Sequence, residues 1–298
     1  MAVILQAPAK INLSLKLLGR RENGYHDLES LFVPVKGLYD TLEVSAAPTD
    51  SGCDVTPPLP QTPPEKNLVF RAWKAYKQAT GEAPDIVVHL TKRIPTGAGL
   101  GGGSSDAAAM LRWLQTQAAG KALPDDELRR VAAGLGADVT FFLQDGAALA
   151  SGIGDVLTPV GLDLSAFTLL LAMPPVHVST AWAYAAWDEY AAQITSANGC
   201  AECLTTTRSA NKRRVSLSPV VVQNDFEAVV FPAHPDLRVL KERLLKLGAA
   251  SATMSGSGAS VAALFRESRL ALKVAHDLRT NGLPVHIETL TRWGVAKR

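Results

Sequence analysis

The chain has 298 residues, 47% of them hydrophobic and 19% charged, with a formal net charge of +2. That composition supports a sizeable core in one large or two ordinary domains and excludes a disordered chain. The near-neutral charge, with "NKRR" at 211–214 as the nearest approach to a basic run, argues against a nucleic-acid partner.

"MAVILQAPAK" lacks the basic start and long apolar core of a signal peptide, and no apolar stretch reaches membrane-spanning length. A soluble, cytoplasmic protein with no membrane partner is expected. Residues 10–17, "KINLSLKL", alternate strictly: Ile11, Leu13, Leu15 and Leu17 share one face of a half-buried strand, and Lys10, Asn12, Ser14 and Lys16 share the other. A turn-rich loop at 19–27 leads to strands at 28–35 and 41–45. Six prolines make 46–66 an irregular excursion. A helix at 67–79 and a strand at 85–90 precede the glycine-rich stretch "IPTGAGLGGGSSDAAAML" (94–111). From Ser104 the apolar spacing turns helical, with Ser104 or Ser105 as the cap and Asp106 in the first turn. A further helix starts at a cap on Asp125 or Asp126 and stops at Gly134. "AALASG" and "GDVLTPV" read as a hairpin, and "FTLLLAM" (167–173) as a fully buried strand. Ser179 opens a helix holding Trp182 and Tyr184. Residues 193–222 form a second excursion, with Cys200 and Cys203 as free thiols of a surface loop. With Cys53 the cysteine count is odd, which argues against a disulfide framework, and no second ligand pair supports a zinc site. A helix begins in "QNDFEAVVF" and another spans 236–248. Strands "AASATM", "SVAALF" and "VHIETL", with a helix at 268–281 before the last, complete a split βαβ, ferredoxin-like pattern.

The glycine stretch admits several readings. Gly97 to Gly102 satisfies G-x-G-x-x-G between a strand and a helix, but the acidic pair at 125–126 opens a helix instead of ending a strand, which disfavours a dinucleotide fold. The same glycines have P-loop spacing, but Gly103-Ser104 stands where that motif needs lysine and a hydroxyl residue. A mere linker does not sit between a strong strand and a patterned helix. The remaining reading is a lysine-free cradle of backbone N–H groups and a helix N-terminus for a triphosphate.

"PTGAGLGGGSSDAA" (95–108) resembles the P-x-x-x-G-L-G-G-G-S-S signature of the GHMP small-molecule kinases. "APAKINLSLKLLGRRENGYHDLESLF" (7–32) resembles the first motif of that family, and "TMSGSGASV" (253–261) the third. The three motifs lie in family order along nearly the whole chain. The resemblance implies an α+β, two-lobe kinase: an N-terminal α/β lobe (1–160) and a ferredoxin-like C-terminal lobe (161–298), the last strand able to return to the first, with the active site in the cleft between them. It implies ATP as phosphoryl donor, magnesium as counter-ion with its ligands unassigned, and a monomer or weak homodimer. The stretches "PAKINL", "GYHDL", "LGADVTFFL" and "NDFE" resemble the branch acting on the 2-hydroxyl of a cytidine diphosphate ester in non-mevalonate isoprenoid precursor synthesis. Another GHMP kinase, of homoserine or mevalonate type, stays open but fits Gly24-Tyr25-His26 less well. A non-catalytic nucleotide-binding regulator fits less well with both Lys10 and Asp138 present.

By the same resemblance Asp138 takes the proton from the substrate hydroxyl, and Lys10 sits within ion-pair reach of it. Read without the family, Asp138 is a helix cap and Lys10 a surface charge. Pro95, Gly97, Gly99, Leu100, Gly101, Gly102, Gly103, Ser104 and Ser105 are the implied nucleotide contacts. Asn12, Tyr25 and His26 are the implied substrate contacts, with Tyr184 (or Trp182 in its place) as an aromatic partner for the base. Ser255, Gly256 and Ser257 either face the substrate diphosphate or form a plain hairpin. Asp106 is equally a magnesium candidate and a helix cap. The excursions at 46–66 and 193–222 depart from the family pattern and overlap no motif.

Overall fold

A computed structural model describes residues 2–60, 62–118, 120–198 and 222–294. The Cys200/Cys203 pair, "NKRR" and most of the second excursion lie outside the described residues. The chain divides into two compact units built from interleaved segments. The first comprises Met1–Lys10, Pro34–Thr96 and Gly101–Asp145, the second Ile11–Val33, Gly97–Leu100 and Gly146–Arg298.

Two long strands, β1 (Val3–Arg20) and β2 (His26–Ala46), contribute to both units. The two strands expected at 28–35 and 41–45 are one continuous strand, which runs on through Pro34 and Gly37. In β1 the expected apolar face is buried, Ile11, Leu13, Leu15 and Leu17 each being at most 4% exposed. Its polar face is not the solvated one expected: Lys10 and Asn12 are buried as well.

In the first unit β3 (Cys53–Thr56), inside the segment expected to be irregular, pairs in parallel with β4 (Ile86–Thr91). Strand β4 pairs antiparallel with Thr41–Ala46 of β2. Four helices accompany this sheet: α1 (Leu68–Thr80), α2 (Gly102–Gln117), α3 (Asp125–Leu135) and α4 (Ala137–Phe142). Helix α1 is capped by Asn67, whose Oδ1 accepts from Val69 N at 2.9 Å, and it buries Val69, Ala72, Trp73 and Tyr76. Helix α2 buries Ala107, Met110, Leu111 and Leu114, the stripe its spacing predicts. It begins two residues before Ser104, with Gly101 as N-cap and no side-chain cap. Pro124, not Asp125 or Asp126, occupies the N-cap of α3, and both aspartates lie in its first turn, where negative charge suits the helix dipole.

In the second unit Ser30–Phe32 of β2 pairs antiparallel with β5 (Ala148–Ser151), and β5 with β6 (Val156–Pro159), the expected hairpin. After β7 (Leu162–Asp163) comes β8 (Thr168–Ala172), whose five residues are all buried. Helix α5 (Thr180–Asn198) leads on to β9 (Gln223–Asn224), which pairs in parallel with Ser14 and Leu15 of β1. Helices α6 (Glu227–Ala233) and α7 (Pro235–Lys246), the hairpin β10 (Ser251–Met254) and β11 (Val261–Phe265), helix α8 (Ser268–Thr280) and strand β12 (Val285–Thr289) complete the four-stranded antiparallel sheet, in the order β10-β11-β8-β12. That is the expected ferredoxin-like arrangement, with the first strand in the chain placed inside the sheet. A last short strand, β13 (Arg292–Trp293), pairs with β7. Among the described residues no helix is long and apolar enough to cross a membrane.

Candidate active site

In the first unit Lys10 Nζ lies 3.3 Å from Asp138 Oδ2. The lysine side chain is 5% exposed and the aspartate 32%, so the cation is enclosed while the carboxylate stays open to a ligand. Asp138 stands in the first turn of α4, whose N-cap is Gly136, so it is not the cap that its sequence position first suggests. Gly101 touches the same pair: with φ +71°, an added Cβ would lie 3.2 Å from Lys10 Cγ and 3.0 Å from the Phe142 ring. Only glycine gives both the left-handed backbone and this close approach. The start of α2, with its unpaired N–H groups, is thereby set beside the lysine stem.

Ser105 is 1% exposed and its Oγ has no hydrogen-bond partner among the described residues. Ser104 is half-buried, while Pro95 and Gly97 are exposed. The side chain of Leu100 is core, leaving only its backbone for a nucleotide.

Asp106 is not the helix cap, and its buried Oδ1 has no hydrogen-bond partner among the described residues. Its Oδ2 accepts from Lys92 Nζ at 2.6 Å, and the same ammonium donates to Asp40 Oδ2 at 2.5 Å. Asp40 Oδ1 accepts from the N–H groups of Arg93 and Ile94 at 2.6 and 2.9 Å, fixing the backbone just ahead of Pro95. Burial pushes the Asp106 carboxyl up to about 7, against the opposing pull of Lys92 and with further help from the Asp40 charge. Burial lowers the Lys92 ammonium, but the two carboxylates outweigh it and the net direction is upward. Asp40 was legible in principle, because the strand alternation sets it on one face with the buried Leu38, Leu42 and Val44.

In the second unit Asn12 and Ser255 form one buried network. Asn12 N donates to Ser255 Oγ at 3.1 Å, and Asn12 Nδ2 to Ser30 Oγ at 2.7 Å. Ser255 Oγ donates to the Gly99 carbonyl at 2.9 Å, and Ser260 N to the Ala98 carbonyl at 3.3 Å. Both side chains implied as substrate contacts are therefore engaged within the protein, and Ser255 ties the turn after β10 to residues 97–100. Gly256 packs on Gly99, and Ser257 Oγ lies 2.9 Å from Thr180 Oγ.

His26 and Tyr184 do come together, stacked with ring centroids 4.7 Å apart, and Tyr184 is held edge-on by Phe226 at 4.9 Å. Tyr25 is 59% exposed beside them in sequence. Trp182, 39% exposed, meets His234 instead, at 6.0 Å. Asp188, missed in the sequence, lies one helical turn after Tyr184. Its Oδ1 is 2.5 Å from His26 Nε2 and its Oδ2 is 3.3 Å from Arg20 Nη1. The spacing of four on a helix is the signal that would have found it.

Among the described residues no group of three His, Cys, Asp or Glu side chains is placed to hold a metal ion. Magnesium held through one or two carboxylates together with the phosphates of a nucleotide needs no such group.

Residues 67–146 match the family model described as the GHMP kinases N terminal domain, and residues 210–283 the GHMP kinases C terminal model. A 4-diphosphocytidyl-2-C-methyl-D-erythritol kinase from Solidesulfovibrio magneticus is 45% identical over 96% of both chains. A crystal structure of a 4-(cytidine 5'-diphospho)-2C-methyl-D-erythritol kinase is 33% identical, with a TM-score of 0.73, covering 96% of this chain and 98% of that one. A homoserine kinase structure from Cytophaga hutchinsonii shares the fold at 19% identity, with a TM-score of 0.69 over 98% of this chain and 95% of that one. The chain is thus an ATP-dependent small-molecule kinase of α+β two-lobe fold, and it belongs to the GHMP kinase family, on the branch of the 4-diphosphocytidyl-2-C-methyl-D-erythritol kinases.

Proposed function

We propose that this chain transfers the γ-phosphoryl group of ATP to the 2-hydroxyl of 4-diphosphocytidyl-2-C-methyl-D-erythritol. The substrate is that for which the 45%-identical Solidesulfovibrio magneticus kinase is named. The observation that carries the chemistry is the 3.3 Å contact between an enclosed Lys10 and an open Asp138, against Gly101. In this reading Asp138 accepts the hydroxyl proton as the substrate oxygen attacks the γ-phosphorus. The new O–P bond forms as the bond to the β,γ-bridging oxygen breaks, and ADP leaves with the electron pair. Lys10 fixes the carboxylate and sets a positive charge next to the reacting oxygen. The backbone of Gly101–Gly103 and the start of α2 offer N–H donors to the triphosphate. Exposed Tyr25 and the His26–Tyr184 stack are the groups suited to a nucleobase. A divalent ion arriving with the nucleotide would neutralise charge on its β- and γ-phosphates.

The test is a phosphoryl-transfer assay with a substrate panel. The wild type is expected to phosphorylate the cytidyl substrate in preference to homoserine or mevalonate. Asp138→Asn and Lys10→Ala are expected to lose about 10²–10⁴-fold in kcat, the usual size of a general-base contribution, with the fold retained by circular dichroism. Near-normal turnover in both variants would remove the mechanism, and phosphorylation of mevalonate or homoserine instead would remove the substrate assignment.

A further inference from the structure

Asp188 touches nothing in the phosphoryl-transfer machinery, yet it is the hydrogen-bonding partner of a buried histidine. His26 Nε2 is 2.5 Å from Asp188 Oδ1, and the His26 side chain is 6% exposed. A carboxylate only accepts, so the proton of this contact sits on Nε2. A neutral imidazole with hydrogen on Nε2 carries its lone pair on Nδ1. The ring cannot turn to exchange its nitrogens without breaking further contacts. Tyr184 stacks on it at 25° between planes, and Phe226 holds Tyr184 edge-on. Arg20 grips the other Asp188 oxygen at 3.3 Å. The result is an Nδ1 acceptor of fixed direction, on the residue that follows the exposed Tyr25 in the chain.

Cytosine and uracil differ at one edge in a way that such an acceptor reads. Cytosine presents an exocyclic amine at C4, a donor, where uracil presents a carbonyl oxygen. A lone pair on Nδ1 pairs with the amine and opposes the carbonyl, and a site built for one hydrogen-bond pattern rejects the other because polar groups are left unpaired. We propose that Asp188 is a positioning residue that sets pyrimidine specificity, holding the Nε2–H tautomer of His26 so that Nδ1 accepts from the cytosine amine. This rests on the cytidyl-substrate reading above and says which group enforces it.

The test measures binding of CDP and UDP by titration calorimetry to the wild type, Asp188→Asn and Asp188→Ala. The wild type is expected to favour CDP. The asparagine can donate to Nε2 and so move the imidazole proton to Nδ1, and the alanine frees both tautomers. Each variant is therefore expected to lower the CDP-to-UDP preference on the order of tenfold, the worth of one hydrogen bond. A role confined to holding α5 in place would weaken both ligands in proportion and leave the ratio unmoved, and that result overturns the assignment. Either variant suffices if the other fails to fold. A wild type that binds CDP and UDP alike overturns the cytidyl reading and this inference together. A wild-type preference retained in the variants overturns this inference alone.

Discussion

A carboxylate that takes a proton during a reaction must face the substrate while a neighbour holds it still, and the 32% exposure of Asp138 against the 5% of Lys10 divides those tasks. The same economy of contact appears at Gly99. Its φ is +75°, and an added Cβ would run into the Ser255 carbonyl oxygen. Gly99→Ala therefore meets both a strained backbone and a backbone atom that cannot yield. It is expected to cost at least about 1 kcal/mol from the left-handed conformation alone, read as a lower Tm, and to raise KM for ATP at the displaced loop. A variant with wild-type Tm and KM would show that the close packing there is dispensable. Residue pattern revealed the glycines themselves, because a run of five in ten residues between strand and helix has few structural uses. It did not reveal that Asn12 and Ser255 also bond within the protein. Each is a small polar side chain, and Ser255 Oγ finds its partners far off in sequence, accepting from the Asn12 N–H 243 residues away and donating to the Gly99 carbonyl 156 residues away.

Helix α2 shows how an element is fixed by a charge it did not advertise. Its apolar stripe was legible at a period of 3.6, and so was its place after the glycines. The anchor is instead electrostatic: Lys92 from beyond β4 bridges Asp106 and Asp40. Such a buried triad is invisible to periodicity, since each member reads alone as a cap, a turn or a surface charge. It has a consequence for pH. Burial pushes the carboxyl of folded Asp106 up to about 7, from an ordinary value of 3.8. Between those values the folded chain holds a proton that the unfolded chain has released. The unfolded state then binds fewer protons, so stability falls as pH rises through this window. Asp106→Asn carries no titrating group and cannot show that loss. The Tm of the variant relative to the wild type is accordingly expected to rise between about pH 4 and pH 7, measured by scanning calorimetry across the range. A constant difference would mean that Asp106 does not carry the proton.

At the level of the whole molecule, the fold class and the order β8, α5, α6, α7, β10, β11, α8, β12 were legible because the second half alternates long, clearly patterned segments. The interleaving of the two units was not, because it depends on which strands pair across hundreds of residues. The second unit takes Ile11–Val33 and Gly97–Leu100 from the first half of the chain. Leu15, Leu17 and Leu28 belong to the same buried cluster as Phe226, Val230 and Met254. A fragment of residues 161–298 exposes that cluster and leaves β9 without its partner. It is expected to lack a cooperative thermal transition, checked by near-UV circular dichroism and calorimetry, and a sharp transition like that of the full chain would contradict this. The tie from Ser255 to Gly99 spans 156 residues, and it sets an order in time as well as in space. A ribosome delivers the glycine segment early and its hydrogen-bonding partner late. A nascent chain halted before residue 255 carries the loop without the hydroxyl that holds the Gly99 carbonyl, so the finished loop is among the last products of synthesis.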